Sequence, residues 1–535
     1  MLAGVISRAA ALPLPPAEAS AGVLLNQTTE ALREREIRQE LREEKKRDRK
    51  GIEAPEIKKM RDEGGNSFTF LLRELKITTS EVLGSAELDR IKKDYVGKNV
   101  TVGDLYEAVN RINALYAEKG YIVCRAFLPP QEIDGGVVSI LLVEGKTADI
   151  AIEGNKTTKA GYILDRIDLV KGLVSNLGEL NKSLLRFNGT NDIQTRIQLK
   201  AGKAFGTTDY LLTVTEPKHH QFVVFADNQG SESSGEYRAG VGYTNTSLFG
   251  FRDQFSLTGV WTGGTRSGGL SYSYPITRKG ARIGAHFSLN SVEIIKGDLK
   301  DVDVKGNSYS YGLNISHPFL VGEKWKIDGA LEWARQKIKT DIMTYEWVND
   351  DVTHYEASLT IKRYGTKSLW YMRHGLTHGS WKALSQTSKN YLKYELFSIW
   401  QRVFAKNKTL SVKVNGQWAF ADYLPSSDQF YIGGAASVRG YAENLMGADS
   451  GISANVEYAI PLGKRAEIFA FVDGGLTHGK NAWDDNKIAG AGLGVKLTLP
   501  KGAQLSLSYG IPLIKEINNA KVDSGRLYFT AGYRF

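Results

Sequence analysis

From Gln221 to its last residue the chain alternates polarity in segments of about ten residues, the length and period of a membrane-crossing β-strand. In the final segment Leu527, Phe529, Ala531, Tyr533 and Phe535 point one way, and Arg526, Tyr528, Thr530, Gly532 and Arg534 the other. Ala503, Leu505, Leu507 and Tyr509 oppose Gln504, Ser506, Ser508 and Gly510. Leu410, Val412, Val414 and Trp418 oppose Ser411, Lys413, Asn415 and Gln417. One face suits lipid and the other suits water. A soluble sandwich also alternates, so the connections must decide. About sixteen such strands are present, an even number. After even-numbered strands the chain turns tightly, at 247–250, 274–278, 316–319, 460–463 and 499–502. After most odd-numbered strands it makes longer excursions, at roughly 291–305, 339–351, 421–450 and 510–524. Short turns at one rim and long loops at the other predict an all-β membrane barrel over 219–535 in a Gram-negative outer membrane, with its short turns in the periplasm.

The composition agrees. No run of about 18 apolar residues exists that could form a spanning helix. The 56 glycines, 25 tyrosines and 20 phenylalanines, against 13 prolines, are what many strands with aromatic girdles require. Cys124 stands alone, so no intramolecular disulfide can form. The net charge of +10 is scattered along the chain, which fits a polar pore or anionic lipid better than nucleic acid.

Upstream of the barrel, residues 1–21 are apolar and small, with Ala19-Ser20-Ala21 fitting a cleavage site before Gly22, and they predict a signal or disordered segment. Residues 26–50 predict a solvated helix. Opposite charges recur at i,i+4, as in Glu34 with Arg38 and Glu43 with Arg47, and the apolar stripe is thin (Leu32, Ile37, Leu41). Such a helix lies in water or fills a polar cavity. A linker follows at 51–66, marked by Gly51, Pro55 and Gly64-Gly65. Residues 67–146 and 147–217 then read as two copies of one small α+β unit. In the first, a helix over 101–119 presents Leu105, Val109, Ile112 and Tyr116, Gly120 ends it, and strands follow at 121–127 and 137–143. In the second, a helix near 177–187 precedes strands at 195–200 and 210–215. The closing strands Ser139–Glu144 and Leu211–Glu216 are alike, and the repeat suggests tandem binding modules.

Enzyme signatures are missing. Gly145-Lys146-Thr147 lacks the first glycine of a phosphate loop, since Ile140 stands there. Gly490-Ala491-Gly492-Leu493-Gly494 sits within an alternating strand, where small inward residues relieve crowding. His219-His220 has no neighbouring ligands and suits the barrel rim, so neither metal nor cofactor is expected. Two features resist a scaffolding explanation. Val438-Arg439-Gly440-Tyr441 lies in the longest loop, 422–450, and Phe471-Val472-Asp473-Gly474-Gly475 lies on a strand with Phe471 and Asp473 facing inward. An arginine folded into a narrow lumen needs an anion, and Asp473 is the obvious one. A surface arginine beside an isolated lumen carboxylate would fit the spacing as well.

Here the chain resembles the TpsB transporters of two-partner secretion. The resemblance rests on the Val438–Tyr441 motif combined with Phe471-x-Asp473-x-Gly475, two tandem repeats, the charged helix and the aromatic terminus Phe535, and it runs from Asn26 to Phe535. It implies that the repeats are polypeptide-transport-associated (POTRA) domains in the periplasm. It also implies that the 26–50 helix threads the barrel as a plug, with Arg35, Arg38 and Arg42 among its functional side chains, and that Arg439 pairs with Asp473. The implied activity is export of an unfolded partner exoprotein (an adhesin, haemolysin or contact-dependent growth-inhibition toxin) without ATP hydrolysis by this chain. Outer-membrane lipid and the barrel-assembly machinery are the other expected partners. A barrel-assembly factor of the same superfamily and a small-solute porin are the competing readings.

Overall fold

The computed structural model describes residues 20–26, 30, 34, 37–38, 52, 68–383, 388–482 and 485–535. It divides into two units, one joining the residues before Asp48 to Lys218–Phe535 and the other spanning Asp48–Pro217.

Among the described residues of the first unit, sixteen antiparallel strands close into a barrel. The first eight are β1 His220–Asp227, β2 Arg238–Asn245, β3 Gln254–Trp261, β4 Thr265–Pro275, β5 Arg282–Glu293, β6 Val304–Val321, β7 Trp325–Ile342 and β8 Tyr345–Tyr364. The second eight are β9 Ser368–Lys382, β10 Lys389–Val403, β11 Thr409–Ala419, β12 Ser450–Leu462, β13 Ala466–His478, β14 Lys487–Thr498, β15 Gln504–Pro512 and β16 Arg526–Arg534. Each pairs with its sequence neighbour, and β16 closes on β1 from Thr530↔Asp227 to Arg534↔Val223. Beyond that ladder Phe535 and Phe222 exchange both backbone hydrogen bonds, at 3.0 and 3.1 Å, and their rings stack. Alternation sets the two faces. On β16 Leu527 is exposed and Tyr528 buried; on β11 Trp418 is exposed while Lys413 and Gln417 are buried.

Three expectations about turns need correcting, the smallest being 460–463, where β12 runs through to Leu462 and the turn is 463–465. Residues 316–319 are strand, not turn: β6 runs through to Val321, and the ladder to β7 absorbs Pro318 in an irregularity between Pro318 and Leu320. Proline has no N–H to donate, and a bulge dispenses with that bond. Residues 339–351 are not a loop either. β7 and β8 are 18 and 20 residues long and meet in a tight turn at 343–344. About 9–11 residues cross a membrane, so this hairpin continues past the bilayer, where cross-strand pairs such as Arg335–Asp351 replace lipid contact.

The helix also begins earlier than expected. Ala21–Asn26 is helical, as are Glu30, Glu34, Ile37 and Arg38. Ser20 caps it, its carbonyl accepting from Leu24 N at 3.1 Å and its hydroxyl from Val23 N at 3.4 Å. Residues 1–19 of the expected signal segment lie outside the described residues, as do Leu32, Leu41, Glu43 and Arg47 and all of the linker but Ile52.

In the second unit the two halves share one topology. A strand (Glu74–Ile77 or Lys146–Glu153) leads to two helices and returns as a strand pair. The last strand, Val137–Val143 or Thr207–Thr215, lies centrally, parallel to the first and antiparallel to the other. The helix Val102–Glu118 is capped reciprocally by Thr101 and Asp104, and its Leu105, Val109, Ile112 and Tyr116 are fully buried with Val138 and Ile140. Leu177–Thr190 is capped by Asn176 and buries Leu180, Leu184 and Phe187. The segment 121–124 is a turn, so that strand is only Arg125–Phe127.

Candidate functional site: the barrel lumen

The connection from β11 to β12, residues 420–449, folds inward. A short 3-10 turn, Ser426–Asp428, is followed by a two-stranded arm in which Phe430–Ile432 pairs with Met446–Ala448. The tip between them carries Val438–Tyr441. Ile432, Val438 and Tyr441 have almost no exposed surface.

Arg439 joins this tip to β13. Its Nε donates to Asp473 Oδ2 at 2.7 Å and its Nη2 to Oδ1 at 2.9 Å, while its own backbone N–H reaches Oδ2 at 3.1 Å. Nη1 reaches Glu457 Oε2 on β12 at 3.3 Å. The guanidinium lies over the Phe471 ring, 3.4 Å from its centre. A carboxylate pair and an aromatic face thus meet one half-buried guanidinium fork from several sides. The neighbouring motif residues make that position possible. Gly440 has φ of +104°, its N–H donates to Tyr528 Oη at 2.9 Å, and an ideal Cβ there would fall 2.8 Å from the Ile511 backbone. Tyr441 Oη lies 2.8 Å from the Ala489 carbonyl and accepts from Ile514 N at 3.1 Å. Gly475 leaves room for Val438 and Ile432, and Gly490 for the Arg439 carbonyl. The glycines of 490–494 are therefore the space taken by Arg439, Phe471 and Phe469.

The helix occupies the same lumen. Asn290 Nδ2 and Ser308 Oγ each donate to the Ala21 carbonyl at 3.1 Å, and Asn26 Nδ2 donates to the Ser427 carbonyl at 2.6 Å. Ser20 and Ser426 hydroxyls are 3.1 Å apart. Ala21 and Leu24 pack with Val292, Ile338 and Val348, and Ile37 with Leu369, Tyr371 and Ile399. Further along, Arg38 is paired with Glu34 at 2.6 Å, and Lys413 of β11 reaches both Glu34, at 3.3 Å, and the Ala436 carbonyl of the loop. Arg35 and Arg42 lie outside the described residues. Helix, wall and loop enclose a cavity of about 260 Å³ lined by Glu34, Lys413, Ser437, Glu443 and Arg238 among others.

Residue-by-residue reading missed a second cluster. Asp428, 3 % exposed, lies between His354 of β8 and Lys393 of β10, each 3.0 Å away. No local signal marks it, because its partners are distant in sequence and ordinary in type. Lys413 and Gln417 were legible as inward residues, but they hold the loop and helix rather than line an open channel. The other sites considered are structural. Lys146 and Thr147 begin a strand, and His220 Nδ1 meets Tyr243 Oη at 2.8 Å.

Residues 206–497 match the family described as haemolysin secretion/activation protein ShlB/FhaC/HecB, and residues 70–145 match the ShlB-type POTRA domain. The heme/hemopexin transporter protein HuxB of Haemophilus influenzae is 25% identical over 485 residues, covering 84% of this chain and 85% of that protein. The outer membrane transporter CdiB of Escherichia coli is 22% identical over 476 residues, covering 83% and 79%. The solved structure of CdiB from Escherichia coli superposes with a TM-score of 0.69 at 20% identity, covering 98% of this chain and 99% of that one.

Proposed function

Because the chain belongs to the ShlB/FhaC/HecB family of haemolysin secretion/activation proteins, and is thereby an outer-membrane transporter of two-partner secretion with periplasmic POTRA domains, we propose that it exports one large exoprotein through a lumen that is plugged at rest. The observation that carries this reading is how the lumen is filled. The helix is held both by side-chain hydrogen bonds and an ion pair to the wall and the loop, contacts that water can replace, and by apolar packing of Ala21, Leu24 and Ile37 on the wall. The apolar contacts keep such a helix seated at rest, and the polar ones can be exchanged for water when it leaves.

The cargo arrives unfolded, and the two α+β repeats capture it by adding a strand to an exposed sheet edge or along a helix–strand groove, where backbone bonds give affinity with little sequence demand. The helix then vacates the lumen, and the loop stays anchored through Arg439 or shifts to let the chain pass. No nucleotide is consumed here; folding of the cargo outside the cell gives direction. The cargo is an adhesin, a haemolysin or a growth-inhibition toxin. The description of the family, haemolysin secretion/activation, supports an exoprotein of that kind.

The test is secretion of a large exoprotein, should the adjacent gene encode one, co-expressed with the full chain or with one lacking 64–216. Cargo in the medium with the full chain, and none with the deletion, is expected. Equal secretion from both would overturn capture by the repeats. Rescue of barrel insertion for unrelated proteins would favour an assembly factor instead.

A further inference from the structure

The loop is fastened to the barrel at two places on different arcs of wall. Its tip is held by Asp473, Glu457 and Tyr528, on β13, β12 and β16. Its first turn, 426–428, is held by β8, β10 and β11. His354 Nε2 is 3.0 and 3.1 Å from the two carboxylate oxygens of Asp428, Lys393 Nζ is 3.0 Å from Oδ1, and Gln417 Nε2 donates to the Asp428 carbonyl at 2.7 Å. Ser427 Oγ donates to Oδ2 at 3.2 Å, and Tyr391 Oη lies 3.0 Å from the His354 ring nitrogen. A carboxylate this far from water stays ionised only beside cations, and it fixes the backbone that carries it.

That turn is where the helix rests. Ser426 and Ser427 supply the contacts to Ser20 and Asn26, and an ideal Cβ on Gly22 lies 3.1 Å from Ser427 Cβ. A three-residue turn has little stiffness of its own, so any displacement of Asp428 moves both serines.

We propose that Asp428, clasped by His354 and Lys393, is a positioning residue for export: it holds the 426–428 turn as the seat of the N-terminal helix, separately from the Arg439 anchor. The proposal rests on the plug reading above for its bearing on transport. Seating and release of the helix are then set by the Asp428 cluster, and the Arg439 pair sets only the loop tip.

Gly22→Cys combined with Ser427→Cys reports on the seat in the full chain. Disulfides span Cβ–Cβ distances of about 3.5–4.5 Å, a small relaxation from the Gly22–Ser427 spacing here once the end of the Ile338 side chain, 2.5 Å from the same ideal Cβ, swings aside, and the native Cys124 is buried in the other unit. Oxidation of the folded protein in outer membranes should cross-link the pair. The initial rate should fall about tenfold or more with Asp428→Asn or Lys393→Met, which leave buried charges uncompensated. With Arg439→Ala it should stay within about twofold, as for independent sites. Heat-modifiable gel migration identifies folded barrels, and if Asp428→Asn fails to fold, Lys393→Met decides. Potassium chloride conductance should rise with Asp428→Asn and fall again in the cross-linked form until a thiol reductant is added. No cross-link in the parent pair, an unchanged rate in a folded Asp428→Asn or Lys393→Met chain, or an equal loss with Arg439→Ala would each overturn the proposal. Conductance of a chain lacking 20–47 tests the plug by itself: no rise there, with a cross-link that still depends on Asp428, sinks the plug and leaves the seat.

Discussion

Arg439 shows how much a single side chain can specify when it is enclosed in a lumen. Its Nε and Nη2 bond the two oxygens of Asp473 while its plane lies on Phe471, so charge alone does not reproduce it. Arg439→Lys keeps the charge but loses the fork and the stacking surface, and should therefore behave like Arg439→Ala rather than like the parent. We expect secreted cargo to fall about tenfold or more in both, since alanine leaves Asp473 buried without its partner and lysine cannot reproduce the two-pronged bond or the contact with Phe471. Barrel insertion, followed by heat-modifiable migration, should be retained; undiminished secretion with lysine would refute the bidentate requirement. Space matters as much as charge. A Cβ on Gly490 would penetrate the Arg439 carbonyl oxygen, and backbone cannot swing aside as a side-chain end can. A Cβ on Gly474 would meet nothing within 4 Å. Gly490→Ala should accordingly impair secretion about as strongly as the arginine variants, with Gly474→Ala as its silent partner, compared in one secretion assay at matched barrel levels.

Between elements, the same economy appears in the second repeat, where Glu216 closes the strand Thr207–Thr215 against the turn at 157–158. Its carboxylate accepts from Thr157 N, Thr157 Oγ1 and Thr158 N at 2.9, 2.7 and 3.0 Å. Burial favours the neutral acid, but the hydrogen bonds from Thr158 and Thr157 outweigh it and hold the pKa at about 2. The folded value is the depressed one, so the contribution to stability is full above the ordinary value of 4.5 and is lost as pH falls through about 2. Glu216→Gln should lower the melting temperature of the 48–217 unit by a few degrees at neutral pH and converge with the parent near the acid limit. Parallel circular-dichroism melts would show it, and a gap constant with pH would count against the carboxylate. Elements also differ in how plainly the sequence announces them. β16 was legible because lipid on one face imposes a strict period of two, and Val137–Val143 because a short β-branched apolar run follows the Asp134-Gly135-Gly136 turn. The β7–β8 hairpin was not, since past the bilayer its ladder needs no apolar face and charged pairs such as Lys339–Glu346 read as loop. Pro318 read as a turn because a bulge leaves no mark in composition. Ser85–Tyr95 and Lys146–Glu153 escaped notice, the helix being strongly charged and the strand opening with Lys146-Thr147 directly after Gly145, which reads as a turn. In the lumen, Arg439 and Asp473 were nameable from their motifs, whereas the partners of Asp428 are 74 and 35 residues away and ordinary in kind.

At the scale of the whole molecule, a sixteen-stranded closed barrel belongs to the size class that leaves an aqueous channel unless something fills it. Here the filling is covalently tethered, so its occupancy is an intramolecular equilibrium. Each hydrogen bond to the wall is worth only about 0.5–1.5 kcal/mol net, because water replaces it on release. The described hydrogen bonds of the helix to Asn290, Ser308 and Ser427 are therefore each modest, and the Lys413–Glu34 pair and the packing of Ala21, Leu24 and Ile37 supply the rest of the hold that cargo must overcome. The loop is a different obstacle. Its tip buries Val438 and Tyr441 together with a paired guanidinium, and dislodging it exposes apolar surface and an unpaired charge at once. Deleting 20–47 should then raise single-channel conductance severalfold while leaving it below that of an open sixteen-stranded pore, because the loop still narrows the path. Removing 426–446 as well should raise it again. Adding the 20–47 peptide to the deleted chain should lower conductance reversibly. Planar-bilayer recordings of the three chains under one salt gradient distinguish these states. Equal conductance in the full and helix-deleted chains would mean that the loop alone closes the pore, and release of the helix would then have no part in opening it.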